Sequence, residues 1–259
     1  QEITERIGAE RLIEIAGSAV ATGFQAATVR WFQQKEPDLW SQVRIILLPK
    51  GYLGWRLTGR YATDPSDGSG TLLFDVNKRN WSSEILKALD IDPARLPPVL
   101  DSTTTAGDLQ PSAAEALGLP AGIPVIAGAA DTACGTLGAG IVNAGTLLIT
   151  ISTGGQLVLP ATEVQVDRQG RSHTFCGALP PGPDQAGWYT MGATLSAGMA
   201  LRWLRDQVLG LSGDEGYAQM MAWAERTPPG WIITTWIPKG ASSMRRASDR
   251  ECSAALLEQ

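Results

Sequence analysis

The residues best placed to do chemistry surround Asp131. Residues 124–127, Pro-Val-Ile-Ala, are apolar at every position and read as a short strand buried on both faces. Gly128-Ala129-Ala130 then removes side-chain bulk. Asp131 follows, and the small residues 132–137 can continue as a helix that stops at Gly138-Ala139-Gly140. An Asp between strand and helix can serve two ends. Its carboxylate can cap the helix by accepting backbone N–H bonds. It can also stand at the carboxyl edge of a sheet, where open α/β sheets bind ligands, with the small residues letting another molecule approach. The local pattern leaves both open.

A second candidate is Thr153-Gly154-Gly155, between strands expected at 146–152 and 156–159. Two adjacent glycines suit a tight hairpin turn with positive φ. The same turn could also form a backbone N–H cradle for a phosphate, with the Thr153 hydroxyl beside it. Other reactive groups are few. His173 is the only histidine, which argues against a multi-His metal site. Between Ser172 and Thr174 it reads as a hydrogen-bonded strand residue. Cys134, Cys176 and Cys252 have no C-x-x-C spacing, so no metal site is expected, and buried or incidental thiols in a reducing cytoplasm fit best.

These candidates need a scaffold. The chain has 259 residues, enough for one large domain or two smaller ones, and is 44% hydrophobic and 18% charged, so it can bury a core. A net charge of -5 argues against nucleic acid or an anionic membrane surface as the main partner. No secretory signal or membrane span is visible. The first residue is Gln1 rather than Met, which reads as the interior of a longer protein.

Apolar spacing predicts a helix over 2–15, and a second over 26–34 with Trp31 and Phe32 turned to the core. A short helix follows at 37–42, a strand at 43–48 and a helix from Pro49 to a stop at Thr58-Gly59. Residues 61–71 read as a turn-rich loop and 72–76 as a strand. Ser82 caps a helix, 91–100 is Pro-rich and irregular, and Pro111-Ser112 opens a helix to Leu117. Strands are expected over 168–176 and 187–191. A long helix covers 194–209, and Gly213-Asp214 caps a last one over 215–224. From Trp231 onward the pattern degrades. The alternation of strands and helices places the chain in the α/β class.

Several segments, in order, resemble the FGGY carbohydrate kinases, with the xylulokinases the nearest likeness. They are Leu-Pro-Lys-Gly-Tyr-Leu…Leu-Thr-Gly from Leu47 to Gly59, Ala-Thr-Asp-Pro-Ser-Asp-Gly-Ser-Gly-Thr from Ala62 to Thr71, and Phe74-Asp75-Val76. Asn80-Trp81-Ser82, the run around Asp131, Ser172 to Pro180, and Met191-Gly192-Ala193 with Leu201-Arg202-Trp203-Leu204 continue the match. The resemblance implies an actin-like, ribonuclease-H-like two-domain sugar kinase fold, present in part. Residues 1–141 would be the later part of the sugar-binding N-terminal domain, and 142–259 the first part of the nucleotide-binding C-terminal domain.

The resemblance further implies transfer of phosphate from ATP with Mg2+ to a sugar hydroxyl in a cleft between domains. The most specific expectation is conversion of D-xylulose to D-xylulose 5-phosphate in the cytoplasm, with a homodimer as the expected assembly. Asp131 takes the family's general-base position, and Thr132, where the family usually has Asn, the neighbouring sugar contact. Thr153, Gly154, Gly155 and Gly192 match nucleotide-facing positions. Lys50 is read as a solvent-facing helix-start residue, and Asp64, Ser66 and Asp67 as loop hydrogen-bonders rather than metal ligands. The family's first phosphate loop and its later adenosine-binding glycine run are absent from the chain. The alternatives are a non-catalytic fragment, or a kinase for ribulose, glycerol, gluconate or another polyol.

Overall fold

The computed structural model describes residues 1–226. Trp231, the polar run at 241–250 and Cys252 lie outside the described residues. The chain divides into two compact units. The first comprises Gln1–Leu148 and Val158–Met191, and the second comprises Ile149–Leu157 with the residues from Gly192.

The first unit opens with two helices where one was expected, α1 (Glu2–Ile7) and α2 (Ala9–Ala16). Gly8 separates them with φ +88° and ψ 136°, a conformation that ends a helix. The apolar spacing still works on either side of the break, and Ile3, Leu12 and Ile15 reach one core. Helix α3 (Gln25–Lys35) sends Ala26 and Val29 into that core. Trp31 does not join them and is 54% exposed. It lies two residues beyond Val29, about 200° around the helix.

Helix α4 (Pro37–Gln42) forms as expected, but 43–48 forms no strand; the Ile46 N–H donates instead to the Arg95 carbonyl at 2.7 Å. Helix α5 (Pro49–Thr58) ends on Gly59 in the left-handed region. The supposed turn-rich loop contains α6 (Pro65–Ser69), and it is packed inside: Pro65, Ser66, Gly68 and Ser69 are buried. Asp64 caps this helix at the Ser66 N–H (2.9 Å), with Pro65 in its first turn.

Strands β1 (Phe74–Asp75) and β2 (Asn80–Trp81) pair antiparallel, with Phe74 and Trp81 edge to face. Ser82 then caps α7 (Ser83–Ala88), whose Ile85 and Leu86 complete the core. Beyond a 3-10 turn at Pro93–Arg95 come β3 (Thr105–Asp108), which the sequence pattern did not suggest, α8 (Pro111–Leu117) and β4 (Pro124–Ile126). β3 and β4 pair antiparallel. β4 is therefore not the doubly buried strand expected: Pro124 and Ile126, which share one face, are exposed, and Val125 on the other face is half-buried.

Helix α9 (Asp131–Gly138) follows, then β5 (Leu148–Ile151), β6 (Gly155–Ala161), β7 (His173–Cys176) and β8 (Trp188–Thr194). These four strands form one sheet in the order β5-β6-β8-β7. In the first unit, β7 and β8 pair antiparallel from His173↔Met191 to Cys176↔Trp188. Cys176 is buried there and its thiol is pushed up to about 12, chiefly by burial.

The second unit holds the β5–β6 turn, α10 (Gly198–Trp203) and α11 (Gly213–Ala224). The long helix expected over 194–209 is shorter, and a π-helical turn, Leu204–Val208, continues α10. Its apolar residues Leu195, Leu201 and Trp203 are exposed among the described residues.

Two glycines should respond oppositely to a methyl group. Gly17 has φ +71°, and a Cβ there would overlap the Thr174 carbonyl oxygen; Gly54, inside α5, has open space around it. Gly17→Ala should lower stability by about 2 kcal/mol or more, whereas Gly54→Ala should raise it by about 0.5–1 kcal/mol. Denaturant midpoints of the two variants check this.

Candidate functional site

The site is built on the loop between β4 and α9. Past the ladder, Ala127 N–H donates to the Thr104 carbonyl and Gly128 N–H to the Ser102 carbonyl, both at 2.8 Å. Gly128 turns with φ +72°. From below, Lys50 Nζ donates to the Ala127 carbonyl at 2.9 Å, and Ala130 N–H donates to Ser66 Oγ at 2.8 Å.

Both of those supports lead to Asp64, which is fully buried. Its Oδ2 accepts from Ser66 N–H (2.9 Å), Ser66 Oγ (2.5 Å) and Ser102 Oγ (2.8 Å). Its Oδ1 lies 2.9 Å from Lys50 Nζ. That approach is an ion pair without good hydrogen-bond alignment, so among the described residues Oδ1 has no aligned donor although a cation stands beside it. Lys50 is thus no solvent-facing residue, because a sealed carboxylate needs a counter-charge. The expectation that Asp64, Ser66 and Asp67 are loop hydrogen-bonders holds in part: Asp64 and Ser66 make hydrogen bonds, but at a buried helix start, and the buried Asp67 Oδ2 has no hydrogen-bond partner among the described residues.

Asp131 is the first residue of α9, after the N-cap Ala130. It is not the N-cap residue, yet its side chain takes one of the free N–H donors of the first turn. Its Oδ1 accepts the neighbouring Thr132 N–H at 2.6 Å and Thr132 Oγ1 at 3.3 Å. Its two hydrogen bonds among the described residues fall on that one oxygen, and the side chain is exposed. Asp131 and Thr132 line a cleft of about 320 Å³ in the first unit, with Ser66, Asp67, Tyr189 and Met191 on its other walls. Burial pushes the Tyr189 phenol up, and the negative charge of Asp131 adds to it. Asp67 is likewise raised, first by burial and then by the charges of Asp64 and Asp131, against the pull of Lys50.

The remaining candidates lie in the second unit. Neither Gly154 nor Gly155 has a positive φ, so the reason first given for the glycine pair is incorrect. Space is the reason instead. A Cβ on Gly154 would sit 2.6 Å from the Thr194 carbonyl oxygen, and one on Gly155 would sit 3.1 Å from Ala197 Cβ. The Ser152 carbonyl accepts from Gly198 N–H (2.8 Å), and the Thr153 carbonyl from Ala197 N–H (2.9 Å), which straps the turn to the start of α10. Gly192 has room for a methyl group, with Leu157 no nearer than 4.0 Å. His173 is a strand residue, but not the hydrogen-bonded one expected. Among the described residues its buried Nδ1 has no hydrogen-bond partner, its ring stacks on Phe175, and burial lowers its pKa.

Residues 1–138 match the N-terminal domain of the FGGY family of carbohydrate kinases. The chain belongs to this family. The xylulose kinase of Lactococcus lactis is 40% identical over 207 residues, 80% of this chain and 40% of that protein, so the chain spans well under half of that relative's length. A crystal structure of a xylulose kinase from Brucella ovis superposes with a TM-score of 0.78 at 28% identity, covering 98% of this chain and 54% of that one. A gluconate kinase from Lactobacillus acidophilus shares the fold, with a TM-score of 0.77 at 20% identity over 89% of this chain and 45% of that one. The partial actin-like, ribonuclease-H-like fold of the FGGY kinases is therefore the fold of this chain.

Asp67 offers a test of the cleft's electrostatics. A carboxyl whose folded pKa is raised costs stability once ionised; the cost is absent below its unfolded value near 3.8 and grows as pH rises through the folded value. Asp67→Asn should therefore be more stable than the parent at pH 7, with the gap closing toward pH 3.5. A gap that widens on acidification would show that Lys50 outweighs burial.

Proposed function

We propose that the protein carrying this chain is an ATP-dependent sugar kinase that converts D-xylulose to D-xylulose 5-phosphate, with Asp131 as general base. One observation carries the reading: in a chain of this family, the carboxylate of Asp131 stands exposed in a cleft at the start of α9. A sugar hydroxyl is a poor nucleophile until it is oriented and its proton has somewhere to go. Asp131 does both. It accepts the hydroxyl proton as the sugar oxygen bonds to phosphorus, while the bond from phosphorus to the leaving oxygen breaks. Thr132, whose hydroxyl lies 3.3 Å from Asp131 Oδ1, keeps that oxygen oriented and contacts the sugar. Polar and aromatic walls from Asp67 and Tyr189 suit a polyol.

Residues 1–141 supply most of the sugar site in this reading, with Tyr189 and Met191 of the later stretch on its wall, and 142–259 otherwise serves the nucleotide, through Thr153, Gly154, Gly155 and Gly192. Magnesium–ATP, when bound, supplies the phosphoryl group and neutralises its developing charge. Among the described residues no cluster of three or more His, Cys, Asp or Glu could hold a metal ion. The partners are then a pentulose and ATP, in a homodimer and in the cytoplasm. Cys134 and Cys176 are free thiols, and no helix among the described residues is long and apolar enough to cross a membrane.

A second reading follows from the 40% coverage of the Lactococcus relative: this chain by itself folds without turning over. Saturable ATP binding to the chain alone, read by calorimetry, counts against it.

With the complete protein, D-xylulose should give the highest kcat/KM in a panel with D-ribulose, glycerol and gluconate. Asp131→Asn should lower kcat by about 10²–10⁴-fold with little change in sugar KM. Unchanged turnover in that variant overturns the general-base assignment, and preference for another polyol overturns the substrate.

A further inference from the structure

The loop that presents Asp131 hangs on a buried cluster that never reaches the sugar-facing carboxylate itself. Lys50, from α5, holds the Ala127 carbonyl at one end of the loop (2.9 Å). Ser66, from α6, holds the Ala130 N–H at the other end (2.8 Å), one residue before Asp131. Both are fixed by Asp64: Lys50 through the ion pair at 2.9 Å, Ser66 through a 2.5 Å hydrogen bond donated by its hydroxyl. We propose that Lys50, Asp64 and Ser66 are positioning residues that set where the Asp131 carboxylate stands. This inference rests on the general-base reading above and deepens it.

Ser66 Oγ has two engagements, donating to Asp64 and accepting from Ala130. Capping α6 needs neither, since the Asp64 carboxylate takes the Ser66 N–H directly. Ser102 is the internal comparison. Its hydroxyl donates to the same Asp64 oxygen at 2.8 Å, yet its link to the loop runs through its backbone carbonyl and survives loss of the side chain. Misplacing a catalytic group by about 1 Å can cost on the order of 100-fold in rate.

The test compares Ser66→Ala with Ser102→Ala in the complete kinase, with Asp131→Asn alongside. Ser66→Ala should lower kcat about 10–100-fold while sugar KM moves less than threefold, and Ser102→Ala should have an effect on kcat at least fivefold smaller. Hydrogen exchange at the Ala130 amide, read on the same variants, should quicken at least tenfold in Ser66→Ala alone. Equal kcat losses in the two serine variants, or an unchanged Ala130 amide, overturn the positioning role. If Asp131→Asn turns over normally, the general-base reading is what fails.

Discussion

A carboxylate sealed from solvent needs partners for both of its oxygens, and Asp64 is such a group. Its compensation is distributed. Lys50 supplies charge on one oxygen, and Ser66 N–H, Ser66 Oγ and Ser102 Oγ supply three donors on the other. Each partner comes from a different stretch of chain: α5, the first turn of α6, and the segment before β3. Satisfying one charge therefore fixes three segments against one another. The loop from Ala127 to Ala130 is then suspended from the same groups, and Asp131 inherits its place.

That constraint explains why the cleft can afford a second, less well satisfied acid. Asp67 and Asp131 share its wall, and Lys50 is committed to Asp64 at 2.9 Å but only 3.7 Å from Asp67. The acid in the deepest position takes the counter-charge; burial, only partly offset by Lys50, leaves Asp67 with a raised pKa, and Asp131 faces the opening.

Legibility of the sequence followed the range of the interactions involved. Local signals worked where one residue decided the outcome. Pro49 opened α5 and Gly59 closed it, Ser82 capped α7, and Gly118 ended α8. They failed where a partner far along the chain decided. Residues 43–48 had the composition of a strand but found no ladder, and β3 gave no strand signal yet pairs with β4. Asp131 stood out because small residues surrounded it. Lys50, Asp64 and Ser66 did not, since nothing local tells a solvated lysine from one 77 residues distant that grips Ala127. The Asp64-Pro65-Ser66 run did carry a helix-start signal that a loop reading passes over. The glycine pair at 154–155 was noticed for the wrong reason: its room goes to the Thr194 and Ala197 segment, not to positive φ.

The account turns on charge compensation between Lys50 and Asp64, and a double-mutant cycle in unfolding free energy measures it most directly. Lys50→Met alone strands a buried carboxylate and should cost about 3–5 kcal/mol. Adding Asp64→Asn to it should recover part of that loss, giving a coupling energy above about 1 kcal/mol. Strictly additive effects would contradict the account, because they would mean the lysine and the carboxylate contribute to the fold independently of each other.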